Sequence, residues 1–266
     1  MKSISQLSDM HGRKVLITGA CGALGAVFAE TISELGGDLF LVDRPEADFA
    51  PLIEKLNFFD NEIICVHCDL ESEVDRKELI KKIKSFNVPL SVLVNNAAFG
   101  GTSELEGWIT KFEDQNLDSW RRAIEVNLTA PFDLAKELSP LLKKSGNGSI
   151  INIASIYGIN GPNLSLYEDT LMGNPAAYAA SKGGLIQFTR WLSTVLAPEV
   201  RVNSICPGGI LRNQPEIFIK RYNQKTPLNR MGTEEDFKGV IAYLASDLSS
   251  YVTGENIVVD GGFTTW

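Results

Sequence analysis

Short apolar runs alternate with longer amphipathic segments along the 266 residues of this chain. The runs that predict strands are KVLIT (14–18), LFLVD (39–43), EIICVHC (62–68), LSVLVNN (90–96), SIINIAS (149–155), VRVNSIC (200–206) and NIVVD (256–260). The segments that predict helices lie near 23–35, 72–85, 118–143, 175–197 and from Thr233 to about 246. Most strands are continuous Val, Ile and Leu runs, which is typical of strands buried on both faces. The pattern therefore predicts a single α/β domain over residues 1–266, with a doubly wound parallel sheet flanked by helices on both faces.

Charge excludes several classes of partner. The chain carries 25 Lys and Arg against 33 Asp and Glu, a formal net charge of −8, without a basic run. This balance argues against nucleic acid and anionic membranes as main partners. The first residues contain no apolar stretch of signal-peptide length, and no apolar run is long enough to span a bilayer. We therefore expect a protein of the cytoplasm that acts on a small molecule.

The four cysteines are unevenly placed, which is typical of a reduced chain rather than of a disulfide framework. Cys65 and Cys68 have the spacing of a redox or metal motif. They fall in an apolar strand, however, where residues three apart point to opposite faces. No second cysteine pair completes a zinc site, so we predict that the chain holds no metal.

The segment TGACGALG joins the first strand to the first long helix. Glycine lets a backbone turn tightly and approach a pyrophosphate, and a helix start offers free N–H groups and the favourable end of the helix dipole. In this context the segment predicts a dinucleotide-binding loop of Rossmann type, although a glycine-rich turn without a ligand is the alternative. The loop residues that we expect at the cofactor are Gly19, Cys21, Gly22, Ala23, Leu24 and Gly25.

Asp43 ends the second strand and favours one form of the cofactor. A carboxylate at this position can accept hydrogen bonds from both ribose hydroxyls of NAD, and it would repel the 2′-phosphate of NADP. Arg44 follows directly and could pair with that phosphate. We therefore predict NAD as the cofactor, with NADP as the less favoured alternative.

One tyrosine of the segment 155–182 has a lysine four residues later. Tyr178 and Lys182 lie in an alanine-rich segment that should be helical, where residues four apart share a face. A phenol has a reference pKa of about 10, and we expect the nearby ammonium to lower it. That change would suit proton exchange with an alcohol or carbonyl oxygen. Ser155 ends the fifth strand and could hold the same oxygen. Taken alone, the spacing is also typical of a solvated helix face.

Taken together, the motifs resemble those of a short-chain dehydrogenase/reductase of the short type with a Ser-Tyr-Lys-Asn set, over nearly the whole chain. The matching pieces are TGACGALG, Asp43, CDL (68–70), NNAA (95–98), VNL (126–128), IASIYG (153–158), YAASK (178–182), PGGI (207–210) and VTGENIVVDGG (252–262).

The resemblance implies a role for each matching residue. Tyr178 is expected to be the acid/base, Lys182 its electrostatic partner and a ribose contact, and Ser155 the group that orients the substrate oxygen. Asn127 is expected to hold a proton-relay water near Lys182. The remaining cofactor contacts that the resemblance implies are Asp69 and Leu70 at the adenine, Asn96 in the cleft, and Pro207, Gly208 and Ile210 on the nicotinamide side.

Two departures from the family pattern stand out. The family spacing is GxxxGxG, and Ala23 occupies the place of its second glycine, which puts the shape of the loop in doubt. The glycine spacing GxxGxxG is similar to that of longer nucleotide-sugar epimerases of the same superfamily. NNAA replaces the common NNAG, a change of one methyl group that could narrow the cleft slightly.

Two segments around the reacting residues bear on the substrate. Ser155 and Tyr178 are separated by 22 residues, more than in most relatives, and the insertion at about 158–175 is rich in polar residues. Because hydroxyl-rich substrates need many hydrogen-bond partners, the insertion favours a sugar or polyol, with a solvated surface loop as the alternative. In the family, the region at about 208–232 is a mobile lid. Its basic residues could attract a phosphate, with an ordinary exposed amphipathic helix as the alternative. They are Arg212, Lys220, Arg221, Lys225 and Arg230.

More narrowly, the insertion and the segment GGILRNQPE are similar to oxidoreductases of bacterial legionaminic-acid and flagellin-glycosylation pathways. That resemblance implies a substrate in the synthesis of nonulosonic-acid precursors. The alternatives are a general carbonyl reductase, such as a 3-oxoacyl reductase or a gluconate-type dehydrogenase, and a protein that binds NAD without turnover. The family resemblance also implies a homotetramer, formed by the helices near 118–143 and 175–197 and the C-terminal segment.

Overall fold

Parallel strands form the centre of the protein in a computed structural model, which describes residues 1–100 and 105–266. The strands are β1 (Lys14–Thr18), β2 (Asp38–Asp43), β3 (Ile63–His67), β4 (Val92–Asn95), β5 (Gly148–Ile153), β6 (Val200–Pro207) and β7 (Asn256–Val259). Every predicted apolar run therefore contains a strand. The prediction of a doubly wound parallel sheet is confirmed.

The helices are α1 (Ile4–Ser8), α2 (Ala23–Glu34), α3 (Ala50–Leu56), α4 (Glu73–Ser85), α5 (Leu117–Ile124), α6 (Ala130–Lys144), α7 (Ala176–Leu196), α8 (Glu216–Lys225) and α9 (Lys238–Ala245). Short 3-10 turns occupy Phe112–Asp114, Ile156–Gly158, Leu164–Leu166, Glu234–Phe237 and Asp247–Ser249. The helix predicted near 118–143 is interrupted, because Glu125–Thr129 forms one turn of π-helix between α5 and α6. Helices α1 and α3 were not predicted, and α8 lies in the lid region, where an amphipathic helix was the alternative.

The order of strands across the sheet is β3-β2-β1-β4-β5-β6-β7, counted over the described residues, and each neighbouring pair is parallel. The chain order reverses between β1 and β4. In doubly wound sheets, ligands bind at the carboxyl ends of the strands beside such a reversal. The loops after β1 and β4 are therefore the first place to look for a site.

Two apolar cores cover the two faces of the sheet. One contains Phe28 and Ile32 of α2 together with Ile241 of α9, and the other contains Leu134 of α6 and Leu192 of α7. Cys65 packs with the first core and Cys68 with the second. The prediction that these two cysteines lie on opposite faces is confirmed. Across residues 1–100 and 105–266, no helix is long and apolar enough to cross a bilayer.

Buried polar groups anchor α7 to the sheet. Asn95 on β4 donates to Asn152 on β5 at 2.8 Å, and Asn152 donates in turn to Thr189 of α7 at 2.8 Å. All three residues are at most 3% exposed. Hydrogen bonds in such an environment are costly to break, because each lost partner leaves a desolvated polar group. The chain of bonds therefore holds α7, and the side chains that it carries, at a defined position over the sheet.

Candidate active site

A cleft of about 590 Å³ opens at the carboxyl edge of the sheet. It lies beside the reversal point and is bounded by the loops after β1, β4, β5 and β6. The predicted site residues that line it are Leu24, Asn96, Ser155, Tyr178, Lys182, Pro207, Gly208 and Ile210. The other predicted residues lie in the glycine loop and the start of α2, at the end of β2 and in the loop after β3, except Asn127, which is buried in the π-turn Glu125–Thr129.

The glycine loop has a backbone that other residues would disturb. Gly19 has φ +63°, and a Cβ there would lie 2.9 Å from the Ala97 Cα. A Cβ on Gly25 would lie 2.1 Å from the Gly19 carbonyl oxygen. Helix α2 starts at Ala23 after a Gly22 N-cap, and Ala23 is exposed, so its methyl group displaces nothing. Ala23, at the place of the missing family glycine, is therefore the first residue of a regular helix.

Asn96 and Thr18 hold the loop against β4. The Asn96 Nδ2 donates to the Thr18 carbonyl at 3.0 Å and to the Gly19 carbonyl at 2.9 Å. The Thr18 hydroxyl accepts from the backbone N–H groups of Asn96 and Ala97 at 3.0 and 3.1 Å. Asn96 therefore has a structural task that the sequence did not reveal: it joins the two strands that flank the reversal point.

The Asp43 carboxylate faces the glycine loop, where it accepts from the Cys21 N–H at 2.7 Å. The Arg44 guanidinium pairs instead with Glu46 at 3.2 Å. Burial, assisted by the Asp43 charge, raises the pKa of the Cys21 thiol to about 12, so the thiol stays neutral. A glycine-rich turn, a helix start and a carboxylate at the end of β2 fit the pyrophosphate and ribose of a dinucleotide.

Asp69 and Leu70, predicted at the adenine, lie in the loop after β3. The Asp69 carboxylate accepts from the Glu71 N–H at 2.9 Å, and the Leu70 side chain is buried in the core. Arg76 of α4 fixes this loop, since its Nη1 donates to the Leu70 carbonyl at 2.7 Å. The same guanidinium, 3% exposed, pairs with Glu125 at 2.7 Å. Arg76 thus connects the loop after β3 to the π-turn that carries Asn127, and no sequence motif indicated it.

Ser155, Tyr178 and Lys182 meet at the floor of the cleft. Ser155 follows β5, and the other two residues lie one turn apart on α7. The Lys182 Nζ donates to the Ile153 carbonyl at 2.6 Å and lies 5.8 Å from the centroid of the Tyr178 ring. Ser155 and Lys182 are 5% and 3% exposed. The structure therefore brings together the three side chains that the sequence indicated.

Burial determines how these groups titrate. It lowers the pKa of Lys182 to about 8. It also raises the pKa of Tyr178, against a smaller lowering by the hydrogen bond with Ser155. The expectation that the Lys182 ammonium lowers the pKa of this phenol is wrong for this structure. Desolvation disfavours both charged forms, and the lysine is already hydrogen-bonded to a backbone carbonyl.

Gly158 sets the distance between Ser155 and α7. A Cβ on Gly158 would lie 2.7 Å from the Lys182 carbonyl carbon and 2.8 Å from the Ile186 Cδ1. Only a residue without a side chain lets the 3-10 turn after Ser155 approach the helix backbone this closely. The glycine therefore aligns the serine with the tyrosine and lysine, a function that the motif IASIYG contains but spacing alone did not show.

Asn127 is 1% exposed and lies in the π-turn Glu125–Thr129. Its Oδ1 accepts from the Phe99 N–H at 2.8 Å, and its Nδ2 donates to the Phe99 carbonyl at 3.1 Å and to the Ser181 hydroxyl at 3.0 Å. The amide is thus occupied by protein groups. π-Turns inside α-helices occur frequently at functional sites. The water-holding role of Asn127 stays a prediction.

The insertion contributes fewer polar groups to the cleft than its composition suggested. Tyr167 and Asn174 line the cleft, and so do the apolar side chains of Leu171 and Met172. Asn163 instead caps a 3-10 turn, accepting from the Ser165 N–H at 3.2 Å. Only part of the polar insertion therefore lines the cleft, and its contact with a substrate stays a prediction.

Tyr157, which the sequence did not assign, also lines the cleft. Its hydroxyl lies 2.6 Å from that of Tyr167. Burial raises the pKa of both phenols. Since both groups stay neutral, the wall opposite the glycine loop offers hydrogen bonds without charge.

The lid region packs on the insertion. Leu166 of the insertion forms an apolar group with Phe218, Tyr222 and Met231, which we call the insertion–lid cluster. Helix α8 contributes two of its members, and the Tyr222 hydroxyl accepts from the Gly209 N–H at 2.6 Å. These contacts join the insertion, the lid helix and the loop after β6 into one wall.

Three of the basic lid residues have carboxylate partners. Arg212 pairs with Glu234 at 3.2 Å, Arg221 with Asp169 at 3.2 Å, and Arg230 with Asp236 at 2.7 Å. Arg212 is the one of these three that lines the cleft. The local excess of positive charge that we expected to attract a phosphate is therefore largely neutralised, because the partners come from segments other than the lid helix.

Comparisons with known proteins cover nearly the whole chain. A family model described as enoyl-(acyl carrier protein) reductase matches residues 19–264. Trans-4-hydroxycyclohexanecarboxylate dehydrogenase of Sinomonas cyclohexanicum is 35% identical, over 98% of this chain and 96% of that protein. The 3-oxoacyl-(acyl-carrier-protein) reductase FabG of Rickettsia felis is 34% identical, over 96% and 98%. A short-chain dehydrogenase of Leptospira borgpetersenii, solved with bound NAD+, superposes with a TM-score of 0.84 at 33% identity, over 99% and 96%.

Proposed function

This chain belongs to the short-chain dehydrogenase/reductase family, and we propose that it is an NAD-dependent oxidoreductase of a sugar or sugar derivative. The reaction class of the family is the interconversion of CH–OH and carbonyl groups. The observation that carries the proposal is the convergence of Ser155, Tyr178 and Lys182 in one cleft beside the glycine loop. Binding alone requires no such set, which speaks against a protein that holds NAD without turnover.

Each of the four side chains would have a separate role in the reaction. The bound nicotinamide would accept or supply the hydride. The Ser155 hydroxyl would hold the substrate oxygen, and the Tyr178 phenol would exchange the proton with it. Because burial keeps this phenol neutral, it is suited to giving a proton to a carbonyl oxygen. Lys182, whose Nζ donates to the Ile153 carbonyl, would contact the ribose of the cofactor, and Asn127 would hold the relay water from the π-turn.

NAD is the cofactor that we propose, in preference to NADP. The Asp43 carboxylate, which ends β2 and accepts from the Cys21 N–H of the glycine loop, would accept from the ribose hydroxyls. Arg44, which could have received a 2′-phosphate, pairs with Glu46. The contacts inferred from the sequence for Asp69, Leu70, Pro207, Gly208 and Ile210 remain part of this proposal. The NAD+ bound to the Leptospira structure supports it.

A sugar or sugar phosphate is the substrate class that we propose. Neutral hydrogen-bonding groups on the insertion side, Tyr157, Tyr167 and Asn174, support a hydroxyl-rich substrate. Arg212 at the cleft could contact a phosphate, although it shares its charge with Glu234. The resemblance of the insertion and of GGILRNQPE further suggests a step in nonulosonic-acid precursor synthesis, such as that of legionaminic acid.

A second candidate is a general carbonyl reductase. Ile109, Leu171, Met172 and Phe218 give part of the cleft an apolar lining, which would suit an acyl or alicyclic substrate. The two curated relatives, named for a hydroxycyclohexanecarboxylate and for 3-oxoacyl-(acyl-carrier-protein), support this candidate.

We also propose a homotetramer and a cytoplasmic location. Phe132 on α6 and Trp191 and Val195 on α7 are 47%, 56% and 49% exposed, which is consistent with a subunit interface on these helices. All four cysteines are free thiols, as expected in a reducing compartment. Light scattering tests the assembly: a tetramer that Trp191→Glu dissociates would support it, and a monomeric parent protein would contradict it.

The test of function is a turnover screen with NAD and with NADP against sugar phosphates, nucleotide sugars, polyols and 3-oxoacyl thioesters. We expect NADH formation with a member of the sugar or polyol group. Tyr178→Phe should lower kcat by about a thousandfold while the dissociation constant of NAD stays within about threefold. Exposed Tyr251, mutated to Phe, is the matched control.

The outcomes separate the candidates. Activity confined to acyl thioesters would replace the sugar proposal with the carbonyl-reductase candidate. Unchanged turnover in Tyr178→Phe would remove Tyr178 from the mechanism. A preference for NADP, or an unchanged preference in Asp43→Ala, would contradict the cofactor assignment.

A further inference from the structure

Arg122 of α5 joins the loop after β3 to the loop after β4. Its Nε and Nη2 donate to the two carboxylate oxygens of Glu71 at 2.7 and 3.0 Å, and its Cζ lies 5.5 Å from the centroid of the Phe99 ring. A planar guanidinium can pair with a carboxylate through its edge while its face lies on an aromatic ring. Arg122 therefore fixes the place of Phe99 relative to the segment that contains Asp69 and Leu70.

Phe99 is held in turn by the buried side chain of Asn127. The Asn127 amide binds both the N–H and the carbonyl of Phe99, and its Nδ2 also donates to the Ser181 hydroxyl. That hydroxyl donates to the Tyr178 carbonyl at 2.8 Å. Phe99 and Tyr178 also pack on one small apolar cluster. A continuous series of contacts therefore runs from Arg122 to the candidate acid/base.

The two ends of this series lie at opposite ends of the proposed cofactor. The loop after β3 is the segment proposed at the adenine, and Tyr178 is proposed at the reacting atoms. Binding energy from a part of a ligand that does not react can be used to align the reacting groups, and a ligand that lacks this part then reacts more slowly. Small misplacements at a reacting centre are costly. The contacts of Arg122 offer a physical basis for such an effect.

We propose that Arg122 is a positioning residue through which the adenylate half of NAD aligns Asn127 and Tyr178, so that this half raises the rate of hydride transfer as well as the affinity. The inference rests on the proposed function for the reaction and for the place of the adenine. It goes beyond that function because it gives the adenylate a part in the chemical step and names the side chain that transmits it.

The first test compares NAD+ with nicotinamide mononucleotide, which lacks the adenylate, using the best substrate of the turnover screen. In the parent protein, saturating AMP should raise the single-turnover rate with the mononucleotide by about tenfold or more. In Arg122→Met, the rate with NAD+ should fall about tenfold and AMP should no longer activate, while the rate with the mononucleotide alone stays within about twofold. Arg122→Lys should resemble Arg122→Met, because an ammonium cannot reproduce the bidentate pair. Exposed Arg121, mutated to Met, is the matched control.

Glu71→Met removes the same ion pair from its other side. This variant and Arg122→Met should give equal losses, and the double variant should lose no more than either. The fold should survive, because Arg76 still joins the loop after β3 to Glu125 of the π-turn. Losses that add would overturn the proposal. So would an Arg122→Met protein that slows the mononucleotide alone as much as NAD+, since the arginine would then only support the fold.

A second measurement needs no turnover. Hydrogen exchange of the full chain, followed by mass spectrometry, should show that AMP slows exchange in the loop after β3 and in the peptides that contain Phe99 and Asn127. In Arg122→Met, this protection should remain in the loop after β3 and disappear at Phe99 and Asn127. Protection that is absent at these two residues in the parent protein, or that persists there in the variant, would overturn the inference. Failure of the proposed function has a different signature, namely no hydride transfer with any substrate, while the exchange pattern still decides whether the adenylate acts on Asn127.

Discussion

The glycine-loop side and the insertion–lid side of the cleft are built in different ways. On the first side, the loop 18–25 obtains its shape from backbone geometry: Gly19 needs a positive φ, and Gly25 has no room for a Cβ. On the other side, the wall depends on side chains that are distant in sequence. Leu166 meets Phe218 and Tyr222 there across roughly fifty residues of chain.

The difference shows where the chain can vary. A loop built from backbone rules tolerates few substitutions, because its shape needs residues without a side chain. A wall built from packed side chains can be changed piece by piece, which alters the substrate without altering the cofactor. Mutations on the two sides should therefore separate cofactor binding from substrate selection.

The largest effect is expected from Gly25→Ala. Its Cβ would overlap the Gly19 carbonyl oxygen at 2.1 Å, so the loop must rebuild. We expect the dissociation constant of NAD to rise by about a hundredfold or more, measured by calorimetry. Gly239→Ala on α9, where a Cβ meets nothing within 4 Å, is the control. An unchanged affinity in Gly25→Ala would mean that loop shape does not limit binding.

Lys182→Met tests the lowered pKa of the buried lysine that lines the cleft. Burial lowers the lysine pKa to about 8 in the fold, below about 10.4 in the unfolded chain. Between these values the unfolded chain binds more protons, so the free energy of unfolding should rise with pH. Relative to Lys182→Met, the parent protein should gain about 2–3 kcal/mol from pH 8 to pH 10.4, measured by urea denaturation. If the difference in free energy of unfolding between the parent protein and Lys182→Met stayed constant over this pH range, the lowered pKa of Lys182 would be contradicted. Exposed Lys144, mutated to Met, is the control.

Gly158→Ala should disturb the junction of the insertion with α7. The added methyl group would push the turn after Ser155 away from the Lys182 backbone, because a Cβ on Gly158 would lie 2.8 Å from the Lys182 carbonyl oxygen. We expect a loss of about 2 kcal/mol of stability and a fall of about tenfold in kcat, with little change in NAD affinity. Gly161→Ala, in the same insertion but with open space around it, should match the parent protein. An equal effect of the two mutations would contradict the close approach.

Arg221→Met should have the smallest effect. The Arg221 guanidinium pairs with Asp169 at 3.2 Å and donates to the Glu168 carbonyl, but Asp169 is largely exposed. We expect a loss below about 1 kcal/mol by thermal denaturation. Leu166→Ala, which empties a fully buried position, should cost about 3 kcal/mol. Similar losses in both variants would show that the ion pair holds the insertion as firmly as the insertion–lid cluster does.

Much of the fold was predictable because its signals are local. Each strand overlaps a predicted apolar run. The helix predicted to carry Tyr178 and Lys182 is present as α7. The interruption of the long helix at Glu125–Thr129 was not predicted, although Pro131, which lacks a backbone N–H, follows it by two residues and was an available signal. Nor was Arg76, whose partners Leu70, Glu125 and Asp133 lie on three different segments.

In the site, residue identity was easier to infer than residue environment. Spacing and motif indicated Ser155, Tyr178 and Lys182, but the direction of the tyrosine pKa depended on burial, which the motif does not encode. The polar composition of the insertion likewise did not say which side chains reach the cleft. Tyr157 and Asn174 became relevant only through their contact with Tyr167 and with the cleft.

The strands along the chain, the glycine loop and the candidate catalytic residues follow from rules that act over a few neighbouring residues. These rules are apolar runs, glycine conformations and the 3.6-residue turn of a helix. The titration of Tyr178, the neutralised lid arginines and the wall opposite the loop depend on which distant segments meet. Burial and ion pairing depend on these tertiary contacts, because desolvation and hydrogen bonding act through space and not along the chain.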